Sequence, residues 1–308
     1  MTNHLIENDA QWHALRARNI GGSEVAALFG LSPFITQYSL WHEKAALVPP
    51  VDVDNQKTNW GKLLEPLIAA ELGKQLNWNI ERSKHYYEHP VVVGAGCTLD
   101  FDVYDHEWGP GIVETKAVFD YADYKKDWSD DRAPPNYELQ AQHQMAVTGR
   151  KWCAIQVWIA QTATMAPALI RRPNVDVIID IERRIEAFWA SIKAKQAPDP
   201  SGTEEELAIM RHLWPARAPK KVVEIADETL TNACTSLLWV ADQIPGLERE
   251  KMACRAKLLN AAQDAELLIV PGFAVDIRQN KKGHVTLKVR QDVNNLERPA
   301  PPSTITAG

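Results

Sequence analysis

At 308 residues, with 45% hydrophobic and 24% charged side chains, the chain has room for one large domain plus an appendage, with a core that needs neither disulfides nor a structural metal. A formal net charge of −6 argues against adhesion to nucleic acid over the whole surface, while leaving room for a basic channel beside an acidic site. No stretch approaches the roughly 20 apolar residues of a membrane span and the first ten residues lack the apolar run of a secretory leader, so a cytoplasmic protein without membrane contact is expected. Cys97, Cys153, Cys234 and Cys254 share no CxxC spacing, which speaks for reduced thiols rather than a zinc ribbon or an iron–sulfur site.

In chain order, residues 11–43 read as helical in two pieces, one around Trp12 and Leu15 and one from Gln37 carrying Leu40 and Trp41. Between them Gly21-Gly22-Ser23-Glu24 opens a short helix with Ser23 at the N-cap position. A polar loop after Pro50 leads to a helix over 59–76 with Pro66 inside it. Strands are expected over 91–93, 98–104 and 111–118, the last two turning across Trp108-Gly109-Pro110-Gly111. A helix over 137–147, a strand over 152–160 and a helix over 177–195 complete a core predicted for residues 1–198. Pro198-Asp199-Pro200-Ser201-Gly202 marks a boundary. Residues 199–296 then read as two helices, 229–244 and 247–269, packed as an antiparallel hairpin, followed by a β-hairpin, 273–278 with 285–290. The Pro-, Ser- and Thr-rich tail over 297–308 reads as disordered.

The chemistry concentrates at Asp100 and Glu114-Thr115-Lys116. Side chains two apart on a strand share a face, so Glu114 and Lys116 project together, and Asp100 on the preceding strand approaches them. Asp102 shares that face and competes with Asp100 for the role. Glu65, on the helix with Pro66, is placed to complete a carboxylate cluster. Crowded carboxylates repel unless a cation separates them, and hard oxygen ligands suit magnesium or manganese. The alternative is an exposed strand face of ordinary ion pairs. Against it, the apolar flanks Ile112-Val113 and Ala117-Val118 indicate a buried strand, where an unneeded charge is costly. Gln140 and Gln144, a helical turn apart, read as a solvated face. Trp41, Trp60, Trp128 and His143 read as core, with Trp128 the best placed to stack on a base.

Taken together, Trp12-His13-Ala14-Leu15-Arg16, Gly21-Gly22-Ser23-Glu24-Val25, Gly61-x-x-x-Glu65-Pro66, Thr98-Leu99-Asp100, Glu114-Thr115-Lys116 and Tyr137-x-x-Gln140-x-Gln142 resemble the YqaJ-type viral recombinases, relatives of the phage lambda exonuclease in the PD-(D/E)xK nuclease superfamily. Where that family often has Pro-Asp-Gly, this chain has Leu99-Asp100-Phe101. The resemblance implies a restriction-endonuclease-like α/β (α+β) core, a central mixed sheet flanked by helices. It also implies a 5′→3′ exonuclease on linear duplex DNA that requires Mg2+, with Mn2+ as a substitute. The resulting 3′ overhangs would serve a single-strand annealing protein in phage-type recombination, and the enzyme would work as a homotrimer in a bacterial host. By the same resemblance Asp100, Glu114, the Thr115 carbonyl and Glu65 would hold the metal and Lys116 would be the catalytic lysine. Arg16, Ser23, Thr98 and Gln140 would hold the 5′ phosphate. A restriction-like endonuclease and a silent DNA-end-binding module are the competing readings. Outside the resemblance, Arg278, Lys281, Lys282, His284, Lys288 and Arg290 make the second hairpin basic, as a DNA contact or as a solvated surface.

Overall fold

A computed structural model of the chain describes residues 2–50, 56–129, 131–216 and 220–291. The predicted loop at 51–55 and the predicted disordered tail at 297–308 lie outside them. Two compact units emerge, residues 1–219 and 220–308.

The first unit begins with strand β1 (Thr2–Leu5) and helix α1 (Asp9–Ala17), whose N-cap Asn8 accepts from the Gln11 amide. Gly21-Gly22 then turns into a five-residue 3-10 helix, Val25–Phe29, ended by Gly30 in the left-handed region. Helices α2 (Gln37–Lys44) and α3 (Gln56–Leu76) follow, α3 running on through Pro66. Next come strands β2 (Ile80–Arg82), β3 (His85–Glu88), β4 (Gly96–Thr98), β5 (Phe101–Val103) and β6 (Gly111–Val118). Helices α4 (Tyr121–Asp127) and α5 (Pro135–Thr148) lead to strands β7 (Cys153–Ile159), β8 (Thr164–Met165) and β9 (Leu169–Arg171). Helix α6 (Val175–Lys193) and helix α7 (Glu204–Leu213), started by a Thr203–Glu206 capping box, close the unit.

The central sheet is mixed. Strands β2, β5 and β6 are antiparallel neighbours, β6 runs parallel to β7, and β7 pairs antiparallel with β8 and β9. Since β6 and β7 lie centrally, both faces of each are covered and residues 111–115 and 153–157 are buried. Ile112, Ile155 and Val157 pack into a cluster with α5, α6 and the 3-10 helix. Val113 and Ala154 face the other way, against Ala69 and Leu72 of α3. Glu114 is thereby aimed into the α5 side of the sheet.

Several expectations change. The run 91–93 is not a strand: the His89 ring accepts from the amides of Val91 and Val92 and bends the chain, leaving Val91 and Val93 exposed. The single strand predicted over 98–104 is two strands in different sheets, β4 against β3 and β5 against β6, broken at Leu99-Asp100. Ser23 is not an N-cap. Glu24 holds that position, and its carboxylate accepts from the Gly21 amide instead of capping the short helix. Helix α7 lies beyond the predicted boundary at 198, yet its Ile209 packs with Tyr38 and Val48 and belongs to the first unit.

In the second unit the predicted helical hairpin is one continuous helix, α8 (Glu228–Ala262), with Pro245 inside it. A proline costs a helix about 3 kcal/mol and one hydrogen bond, a local penalty that the long helical stretches on either side outweigh. The apolar run after α8 forms strand β10 (Leu267–Val270), so the predicted two-stranded hairpin is the outer part of a meander with β11 (Phe273–Gln279) and β12 (Val285–Gln291).

Candidate active site

The break at Leu99-Asp100 is what places Asp100. Pairing between β5 and β6 stops at Phe101 opposite Val113, so the next backbone groups of β6 on that side have no β5 partner. Asp100 takes the vacated place: its Oδ2 accepts from the Thr115 amide at 3.0 Å and from the Thr115 hydroxyl at 3.2 Å. The N–H and C=O of one strand residue share an edge, so the Thr115 carbonyl faces the same side. Asp102, the competing candidate, lies opposite Ile112 and is bound in a buried ion pair with Arg150, which also donates to the Gly111 carbonyl. That pairing removes Asp102 from the cluster.

Glu114, 2% exposed, is gripped by three donors. Lys116 Nζ reaches Oε1 at 2.6 Å, Gln140 Nε2 reaches the same oxygen at 2.5 Å, and Gln144 Nε2 reaches Oε2 at 2.8 Å. Gln140 Oε1 in turn accepts from Lys116 at 3.3 Å, and the Tyr137 ring lies beneath the ammonium at 4.7 Å. Gln140 and Gln144 are thus site residues and not a solvated face. Burial, the largest influence on Lys116, would lower its pKa, but Glu114 and Asp100 together outweigh it and push the pKa up. Glu65 on α3 faces Arg82, 3.2 Å away; burial, aided by Glu114, raises its carboxyl against the pull of Arg82.

A second cluster adjoins the first. The turn at Gly21-Gly22 lies directly on α5, where a Cβ on Gly22 would come within 3.2 Å of Gln140 Cγ and 3.4 Å of Gln144 Cγ. Glu24 Oε1 accepts from Arg16 at 2.6 Å, and its Oε2 accepts from the Gly21 amide at 2.8 Å and from Lys44 at 2.9 Å. Lys44, its side chain only 1% exposed, also donates to the Arg16 carbonyl. One carboxylate, Glu24, thus faces two cations, and Glu43 adds a second negative charge near Arg16. The Arg16 side chain remains one-third exposed and Ser23 is exposed beside it. Thr98 is half-buried, its carbonyl accepting from Gln144. Contacts therefore run without a gap from Arg16 through Glu24 and the Gly21-Gly22 turn to the α5 glutamines and Glu114. The five-residue 3-10 helix behind the turn is too short for a strong helix dipole, so any preference for an anion there rests on the partly exposed Arg16.

Trp128 and His143 are structural. Trp128, 6% exposed, packs between Tyr124 and Tyr137, and His143 donates to the carbonyls of Ile20 and Gly96, fixing the turn to β4. Trp41 is buried with its indole on Ser191, whereas Trp60 is exposed. Gln142 spans to residues 172 and 174 and serves the fold. Glu24, Lys44 and Arg150 received no role from the sequence. Glu24 sits inside the Gly-Gly-Ser-Glu motif and was the one of the three with a visible signal.

The donor set suits a hard cation. Burial, then Glu114 and Glu65, push the Asp100 carboxyl up to about 8 against the opposing pull of Lys116. A bound divalent ion relieves that kind of carboxylate crowding. Among the described residues no three His, Cys, Asp or Glu side chains are gathered as a chelate. Each carboxylate is instead engaged by a protein donor, Asp100 by Thr115, Glu65 by Arg82 and Glu114 by Lys116 and the glutamines.

Sheet, site and turn together describe an α/β protein in which an acidic, lysine-bearing cluster adjoins the turn that carries Arg16, Glu24 and Lys44. Residues 11–151 match the model of the YqaJ-like viral recombinase domain. The uncharacterized protein YqaJ of Bacillus subtilis (strain 168) is 24% identical over 259 residues, which is 83% of this chain and 79% of that protein. The alkaline exonuclease LHK-Exo of Laribacter hongkongensis shares the fold, with a TM-score of 0.51 and 23% identity over 61% of this chain and 94% of its own. The structure of LHK-Exo in complex with dAMP gives a TM-score of 0.52 and 22% identity over the same shares. No helix among the described residues is long and apolar enough to cross a membrane.

Proposed function

We propose that this protein is a Mg2+-dependent 5′→3′ exonuclease on linear double-stranded DNA, leaving 3′ single strands for an annealing partner in phage-type recombination. The observation that carries this reading is the meeting of Asp100, Glu114 and Lys116 on β6, beside the turn that carries Arg16. The match of residues 11–151 to a viral recombinase domain and a fold shared with an alkaline exonuclease support it.

Asp100, Glu114, the Thr115 carbonyl and Glu65 would hold Mg2+ (or Mn2+), which when bound supplies an activated water and neutralises charge at the phosphorus. Lys116, with its proton held by Glu114 and Asp100, is unsuited to act as a base. It orients the attacking oxygen and offsets charge on the phosphoryl group. Gln140 spans Lys116 and Glu114 and fixes their separation, a place in the catalytic network that the 5′-phosphate role implied by resemblance did not anticipate. Arg16 and Ser23 would receive the 5′ phosphate at the turn, with Thr98 alongside. Arg16 presents its remaining guanidinium edge while Glu24 holds the other. A homotrimer threading the DNA would keep the enzyme on its strand between cuts.

The test is digestion of a linear duplex with a 5′ phosphate and a different label at each end, with Mg2+, with EDTA, and beside a closed circle. Label is expected to be lost from 5′ ends only, with Mg2+ only. A Lys116→Ala variant should lose about 10²–10³-fold in rate while still binding ends. Cutting of circles would identify an endonuclease, and end binding without digestion would identify a silent module.

A further inference from the structure

Gln144 holds a position that no motif in the chain accounts for. It is 1% exposed, and its single amide nitrogen serves two acceptors, Glu114 Oε2 at 2.8 Å and the Thr98 carbonyl at 3.3 Å. Thr98 ends β4 two residues before Asp100, and Glu114 lies in the middle of β6. These strands belong to different sheets, so one side chain from α5 references both carboxylate-bearing segments to the same helix. The other half of the amide is unsatisfied: Gln144 Oε1 is buried without a hydrogen-bond partner among the described residues. A buried orphan acceptor is costly and calls for a compensating contact. Here the cost accompanies delivery of the N–H2 group to Glu114. The turn packs on the side chain, since a Cβ on Gly22 would lie 3.4 Å from its Cγ and 3.2 Å from Gln140 Cγ.

We propose that Gln144 is a positioning residue for the metal-holding carboxylates, fixing the orientation of Glu114 and the approach of the Asp100 segment. The proposal rests on the nuclease reading above and extends it to a residue outside the set that resemblance supplies. Removing a partner that orients a ligating carboxylate typically weakens metal affinity or activity by about 10–100-fold. Gln144→Met keeps the volume and loses the donor, and Gln144→Glu turns the donor into a carboxylate facing Glu114.

The experiment is calorimetric titration of the full-length protein with Mn2+, run beside digestion of linear duplex DNA at graded Mg2+ concentrations and variable DNA. For Gln144→Met, Mn2+ binding should weaken by about 10–100-fold and half-saturating Mg2+ should rise in parallel, with KM for DNA unchanged. Gln144→Glu should be weaker still. A purely structural role would lower the melting temperature and leave the Mn2+ affinity of the folded fraction alone, which overturns the proposal. Wild-type protein that binds Mn2+ without digesting DNA would sink the nuclease reading, while the titration still decides the role of Gln144. Wild-type protein that binds no Mn2+ overturns both.

Discussion

Glu24 anchors the turn that the proposed mechanism assigns to the 5′ phosphate, and its charge is what holds the turn together. Burial would raise its carboxyl, but Lys44 and Arg16, with hydrogen bonds from Arg16 and the Gly21 amide, outweigh burial and depress it. A depressed carboxyl contributes stability that is complete above its unfolded pKa, about 4.3, and is lost as pH falls through the folded value. Glu24→Gln leaves two cations facing a neutral amide and should destabilise the fold by about 3–5 kcal/mol at neutral pH. Urea unfolding of wild type and variant should differ fully at pH 7, and the difference should shrink only as pH falls below about 4.3; a difference independent of pH would contradict this origin. The same residue shows where the sequence runs out. Glu114 and Lys116 were legible because strand periodicity puts them on one face, whereas Glu24 takes its meaning from Lys44, twenty positions away in another helix. Likewise Asp100 and Asp102 are equivalent by period, and only Arg150, forty-eight residues on, tells them apart.

Among the elements, β6 and β7 could be read from the chain as compact apolar runs, and α5 and α6 as long helices. The short β1 and α4 could not, and neither could α7, which lies past the Pro-rich stretch taken as a boundary. The alternation over 98–104 continues unbroken while the chain leaves one sheet for another, since a period of two does not report which strand lies alongside. The start of β6 is fixed by a contact of a different kind. A Cβ on Gly111 would lie 2.0 Å from Trp152 Cε2, and Trp152 is fully buried with its indole N–H on the Gly109 carbonyl. Trp78, His106 and Trp108 surround it, so the ring has no room to withdraw. Gly111→Ala should therefore cost at least about 1–3 kcal/mol, seen as a lower urea midpoint. The digestion rate per folded molecule should stay near wild type. A midpoint equal to wild type would mean that Trp152 can shift after all.

At the scale of the whole molecule, a net charge of −6 is unusual for a protein proposed to track along DNA, and the second unit offers a counterweight. In its β11–β12 ladder Arg278 stands opposite Thr286, Asp276 opposite Lys288 and Ala274 opposite Arg290, so Arg278, Lys288 and Arg290 share one face. Arg290 is partly neutralised by Asp276 at 3.1 Å. Lys281 and Lys282 sit exposed at the tip, where the Asn280 side chain accepts from the amides of Lys282 and His284 and Gly283 takes a positive φ. A rigid tip with two lysines beside a basic face has the charge and shape to meet phosphates, whereas a merely solvated hairpin would release no counterions on binding. Each phosphate contact steepens the fall of log affinity with log salt by about 0.9 for duplex DNA. Replacing both tip lysines by glutamine should therefore flatten that slope by about 1.8, with digestion of an already bound end unaffected. A slope identical to wild type would assign the hairpin to solvent, and DNA grip would then have to come from the first unit alone.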